Sequence, residues 1–202
     1  MNTLYNVVLI GGTSHTGKST AAQSIATRFG WSYQSTDRLA RHPGRPWRND
    51  NSRVPQHVAE HYLSLSPEML LKSVLQHYKH TVWPLVKTII DSRSATDPVQ
   101  PLILEGSAVL PEMVAERKGR NVTAFYLTAS TELLKKRIYH SSQYELKSIN
   151  EKAMIDSFWE RACLFDEYVT CSLQSLDQIA LNVSKTSTSD DTENQILKLL
   201  YE

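Results

Sequence analysis

Gly12-Thr13-Ser14-His15-Thr16-Gly17-Lys18-Ser19 fits the phosphate-loop pattern G-x-x-x-x-G-K-[ST]. The pattern carries meaning only between a strand and a helix, and both flanks are present. Before it runs Leu4-Tyr5-Asn6-Val7-Val8-Leu9-Ile10, an apolar, β-branched stretch that reads as a buried strand. After it, Ala21, Ile25, Ala26 and Phe29 fall at helical spacing. Glycines let the backbone turn its N–H groups toward phosphate oxygens, and the helix start adds partial positive charge. Residues 12–20 (Gly12 through Thr20) are therefore the expected nucleotide-binding set. Lys18 is expected on the β- and γ-phosphates and Ser19 on Mg²⁺.

The remainder of the chain suits a phosphate-loop domain. It has 202 residues, 41% of them hydrophobic, with a net charge of +1, so it reads as one globular domain with no global pull toward nucleic acid or membrane. Cys163 and Cys171 form no metal-type cluster or disulfide framework and read as reduced thiols of a cytoplasmic protein. No stretch is apolar for the length of a membrane span.

Strands are expected at residues 32–37, 101–106, 122–128 and 178–183, alternating with helices. The expected fold is a three-layer α/β/α domain with a five-stranded parallel sheet. Its core would span residues 1–40 and 101–202, with a helical acceptor-side insertion over about 41–100 and a lid over about 139–160. Within the insertion, Ser66 caps a helix with Pro67 in its first turn, and Pro84 is expected to kink or restart a helix. Ser130 is expected to cap a helix, and the last helix is expected to start near Asp190 with Glu193 three residues on.

Asn182-Val183-Ser184-Lys185 lacks the lysine and aspartate of a guanine-reading motif, and no D-x-x-G follows the loop, which argues against a GTPase switch. The order of loop, second strand ending in Asp37, helical excursion, strand ending in Glu105 and late polar excursion resembles the P-loop small-molecule kinases. These include the nucleoside monophosphate, shikimate, gluconate and chloramphenicol kinases. Within that group, Ser35-Thr36-Asp37-Arg38 and Ile103-Leu104-Glu105-Gly106-Ser107 are most similar to 2-phosphoglycerate kinases.

The resemblance implies transfer of the γ-phosphate of ATP, with Mg²⁺, to a hydroxyl of a small anionic acceptor. It makes Asp37 the group that orients the hydroxyl and takes its proton. It places Glu105 on Mg²⁺ through water or on substrate, and makes Arg137 the leading lid arginine, with Arg161 second. The basic loop after Asp37 offers Arg38 and Arg41 as acceptor contacts, because guanidinium forks suit carboxylate and phosphate. Trp47 is expected to anchor that loop. The adenine is expected against residues 182–187. His57 and His61, four apart, are expected in surface or packing roles. Two other readings stand beside this one: a nucleoside or nucleoside monophosphate kinase, and a non-catalytic ATP-binding module whose lid orders for a protein partner.

Overall fold

A computed structural model describes residues 5–40, 42–50, 52–94, 100–117, 121–178, 180–185 and 188–201. The strands are β1 (Val7–Gly12), β2 (Ser32–Ser35), β3 (Leu102–Glu105), β4 (Val122–Thr128) and β5 (Ala180–Asn182). They form one parallel sheet in the order β2-β3-β1-β4-β5. Parallel neighbours need crossovers, and the helices supply them. These are α1 (Lys18–Phe29), α2 (Gln56–Ser64), α3 (Pro67–His77), α4 (Trp83–Ser94), α5 (Pro111–Ala115), α6 (Thr131–Ser142), α7 (Ile149–Ser175) and α8 (Ser189–Tyr201).

Alternate residues of a strand point to opposite faces, and here both faces are covered. Val8 and Ile10 of β1, Ile103 of β3, and Phe125 and Leu127 of β4 join one core with Ala22 and Ile25 of α1 and Ile196 of α8. Val7, Leu9, Leu104 and Tyr126 join a second core with Val86 and Ile90 of α4. The long α7 serves both, with Phe158 and Ala162 in the first and Phe165, Val169 and Leu173 in the second. Central strands buried on both sides explain why β1 and β3 read as unbroken apolar runs.

The element boundaries differ from the sequence reading in instructive ways. β1 lies later than expected and runs on through Gly11 and Gly12, so the strand enters the loop directly; Leu4 lies outside the described residues. β2 stops at Ser35, where Ser35 Oγ accepts a hydrogen bond from Asp37 N and turns the chain into a short 3₁₀ segment, Thr36–Arg38. Ser66 and Ser130 cap α3 and α6 as expected. Pro84 is the second residue of α4, where α-helical geometry restarts as expected. A π turn over Tyr78–Val82 directly precedes α4, and the wider turn accommodates the proline's missing N–H and its ring.

The polar excursion is shorter than its composition implies. α6 runs to Ser142 and α7 begins at Ile149 with a Ser148/Glu151 capping box, leaving residues 143–148 as the link. The cap of α8 is Thr188, whose hydroxyl accepts from Asp191 N while Thr188 N donates to the Asp191 carboxylate. Glu193 faces α1 instead, accepting from Ser24 Oγ at 2.5 Å and Arg28 at 3.2 Å. Among the described residues no helix is long and apolar enough to cross a membrane.

Candidate active site

The register brings the site together at the carboxyl edge of the sheet. Ser35, Glu105 and Ile10 are register partners across β2, β3 and β1, so Asp37 and Gly12 each lie two residues beyond that row. Ligands of open parallel sheets bind at such an edge.

Two glycines shape the phosphate loop. Gly12 has φ +116°, and a Cβ there would run into the Leu127 carbonyl of β4. Gly17 has φ +95° and takes the N-cap of α1 with no side chain to cap it. The first-turn N–H groups of α1 are thus left for a ligand. His15 holds φ +65° without being glycine. Its ring bonds on both sides, to Ser14 Oγ at 2.9 Å and Ser141 Oγ at 2.9 Å, and it meets Phe158 edge-on. Burial, and then the charges of Arg45, Lys18, Arg137 and Arg161, push its pKa down to about 3, so the imidazole is neutral at pH 7.

Lys18 is 6% exposed, and its Nζ donates to the Thr13 carbonyl at 2.5 Å. Burial pulls its pKa down to about 8 against the opposing pull of Glu105 and Asp37. A cavity of about 460 Å³ opens over this loop. Residues 14–21 line it, with Glu105, Arg137, and Thr188, Ser189 and Thr192 near the start of α8. Arg137 reaches the loop from α6 and donates to the His15 carbonyl at 2.9 Å. Thr188 and Ser189 went unread in the sequence, because small hydroxyl residues after a last strand carry no distinguishing spacing. Of the stretch expected against adenine, residues 186 and 187 lie outside the described residues.

Glu105 is 2% exposed at the end of β3, and Tyr33 Oη donates to its Oε1 at 2.9 Å. Among the described residues its side-chain partner is thus a hydroxyl and not the backbone amides. Ser19 and Glu105 share the 460 Å³ cavity and offer the hard oxygen donors that suit Mg²⁺. Among the described residues no three His, Cys, Asp or Glu side chains are placed to hold a metal by themselves.

A second cavity, about 250 Å³, lies between the sheet edge and α3 and α7. Its wall includes Thr13, His42, His77, Tyr78, Phe158 and Arg161. Ser14, Asp37, Arg45 and Ser107 line both cavities and mark the junction. Asp37 is exposed there, and its carboxylate has no hydrogen bond or ion pair among the described residues; the local cap is Ser35, not Asp37.

The arginines do not all fall where the sequence put them. Arg38 is exposed and lines neither cavity, and Arg41 lies outside the described residues. Arg45, not singled out in the sequence, stands at the junction with its guanidinium over Trp47. Trp47 is 4% exposed and packs edge-on against Phe158, which anchors the loop as expected. Arg161 lines the smaller cavity and not the larger one. It is 9% exposed, its guanidinium lies over the Phe158 ring at 4.5 Å, and its buried Nε has no hydrogen bond among the described residues.

No family model matches the chain, and no curated protein matches it. Solved structures share its fold along nearly its whole length. A deoxyadenosine kinase from M. mycoides with bound dATP is 15% identical over 97% of this chain and 100% of its own, with a TM-score of 0.54. A sugar kinase from Janibacter sp. is 17% identical over 98% and 95%, with a TM-score of 0.52. A thymidylate kinase from Candida albicans is 14% identical over 100% and 93%, with a TM-score of 0.50. The five-stranded parallel sheet with its flanking helices is the fold of these kinases.

Proposed function

We propose that the chain is a phosphotransferase that moves the γ-phosphoryl group of ATP to a hydroxyl of a small anionic acceptor. The observation that carries this reading is the position of Asp37. It lines both the cavity over the phosphate loop and the smaller cavity beside it, and its carboxylate has no hydrogen bond or ion pair among the described residues. A base for the transfer must touch the acceptor hydroxyl while standing next to the γ-phosphate. In the reaction, the acceptor oxygen bonds to the γ-phosphorus as the bond to the β–γ bridging oxygen breaks. ADP leaves, and the hydroxyl proton passes to the Asp37 carboxylate.

Lys18 and Arg137 are assigned to the charge on the phosphoryl group in flight, a role that phosphoryl transfer assigns mainly to positioning and electrostatics. Ser19 and Glu105 are assigned to Mg²⁺, Glu105 through water; the ion would neutralise phosphate charge. The cover of α2 and α3 excludes water from the transfer.

The anionic character of the acceptor rests on Arg161 and Arg45. A guanidinium nine-tenths buried without an anion is costly, and a ligand oxyanion offsets that cost. The residues that resemble 2-phosphoglycerate kinases name a phosphorylated hydroxy acid as the first acceptor to test. The fold shared with sugar and nucleoside kinases puts sugars, sugar acids, nucleosides and nucleoside monophosphates beside it. A cytoplasmic setting belongs to this reading, since it supplies ATP and Mg²⁺ and keeps the free thiols Cys163 and Cys171 reduced.

The test is a panel of these acceptors incubated with ATP and Mg²⁺, with phosphorylated product read by mass spectrometry. The expected result is one acceptor class converted by the wild type and none by Lys18→Ala. Tight nucleotide binding with no product from any acceptor would favour the non-catalytic module.

A further inference from the structure

Two imidazoles, His42 and His77, line the smaller cavity, and a third, His61, packs behind His42. His42, in the loop after β2, lies between His61 of α2, with ring centroids 5.6 Å apart, and His77 of α3, 5.1 Å apart. The Nε2 atom of each ring is buried and has no hydrogen-bond partner among the described residues. The Nε of Arg161, on α7 beside the same cavity, is in the same condition. A buried polar nitrogen without a partner is destabilising, and four of them in one region are unusual. No metal accounts for them, since the geometry holds no three-ligand group among the described residues.

We propose that this row, with Arg161, forms the specificity wall for an oxyanion on the acceptor, a carboxylate or a phosphate ester, and that the oxyanion binds with uptake of a proton by the imidazoles. The inference rests on the reading above, in which this cavity takes the acceptor. A neutral ligand group would leave the Arg161 charge uncompensated, and a cationic one would add to it. An oxyanion suits both the guanidinium and imidazole N–H groups, and hydrogen bonds to it are charge-assisted.

The surroundings explain the proton. His42 faces Arg161 from α7, His77 from α3 and His61 from α2, with Asp37, Arg45 and the Tyr78 side chain on the same cavity. Without a ligand, burial and then Arg161 hold His42 down to about 3, while burial lowers His61 and His77. An anion placed among them reverses that balance and favours imidazolium. Because the complex then holds more protons than the free protein, binding tightens as pH falls, by up to about tenfold per pH unit per proton.

The test uses the full chain saturated with Mg²⁺ and a non-hydrolysable ATP analogue, so that the phosphate loop is filled. Sulfate and acetate, whose charges stay constant between pH 6 and 8, stand in for a phosphate ester and a carboxylate. Each is titrated calorimetrically at pH 6, 7 and 8, with ¹⁵N spectra of the histidine rings, in wild type, His42→Gln, His77→Gln and Arg161→Gln. The expected result is saturable binding of one probe, several-fold tighter at pH 6 than at pH 8, with imidazolium signals at His42 or His77 on binding. The preferred probe distinguishes phosphate ester from carboxylate. Binding that needs Arg161 but is independent of pH and leaves the imidazole signals unmoved would overturn the inference while the anionic-acceptor reading stands. Binding of neither probe would overturn both.

Discussion

Lys18 is folded onto its own loop, its Nζ donating to the Thr13 carbonyl at 2.5 Å, in a pocket where burial pulls its pKa down to about 8. A triphosphate favours the charged amine, so above pH 8 binding must bring a proton with it. Nucleotide affinity is therefore expected to be flat up to about pH 8 and to fall above it, approaching tenfold per unit below the unperturbed value of 10.5. Calorimetric titration with Mg²⁺-ATP from pH 7 to 10 checks this. An affinity constant across that range would mean that Lys18 does not meet the phosphates.

Arg45 and Arg38 belong to the same basic stretch but occupy different places. Arg45 lines both cavities, and Arg38 lines neither. Arg45→Ala is expected to lower kcat/KM by about tenfold or more, the loss of one charge-assisted contact, and Arg38→Ala to stay within about twofold. Steady-state kinetics on the acceptor decides it; equal losses would remove the distinction.

That contrast shows where the sequence was legible. The phosphate loop could be read because its spacing is dictated by backbone geometry around phosphate, and Gly12 and Gly17 take the positive φ values that this requires. The sheet could be read because central strands covered on both faces must be apolar throughout. Asp37 and Glu105 could be located because one lies just past β2 and the other ends β3. The acceptor side could not be read this way. Arg45, His42 and His77 come from a loop and a helix brought together only by tertiary packing, and their spacing along the chain encodes nothing. Their companion His61 is expected in a surface or packing role, and it does pack against another ring. It meets His42 across 19 residues, not His57 across one helical turn.

Buried histidines weaken the fold in acid, His61 and His77 in the same direction as the two with the largest shifts. His15 and His42 are both held down to about 3, while in the unfolded chain they titrate near 6.5. The unfolded state binds more protons between those values, so stability is full above about pH 6.5 and falls as pH drops toward 3. The loss is about 2 kcal/mol per histidine by pH 5. Asp166, raised to about 6 by burial, opposes it between its ordinary 3.8 and 6. Thermal unfolding of the nucleotide-free chain from pH 7 to 5 is expected to show a falling Tm, with a shallower fall in His42→Asn. An unchanged slope in that variant would show that His42 is not buried as described.

Gly106 follows β3 with φ +148°, and a Cβ there would overlap Thr36 Oγ1 in the turn that presents Asp37. Gly106→Ala is expected to cost about 2 kcal/mol or more through strain and displacement of Thr36. It should also lower turnover more than nucleotide affinity, since Asp37 is next in sequence. Denaturant unfolding and kinetics on one preparation check both. A variant as stable and active as wild type would contradict the close packing.

The most direct measurement is turnover of Asp37→Asn on the acceptor, alongside its affinity for Mg²⁺-ATP. Asparagine keeps the shape at the junction of the cavities but cannot take a proton. The account predicts kcat reduced by about 10²-fold or more, with the nucleotide dissociation constant changed by no more than about threefold. Turnover equal to wild type would contradict it.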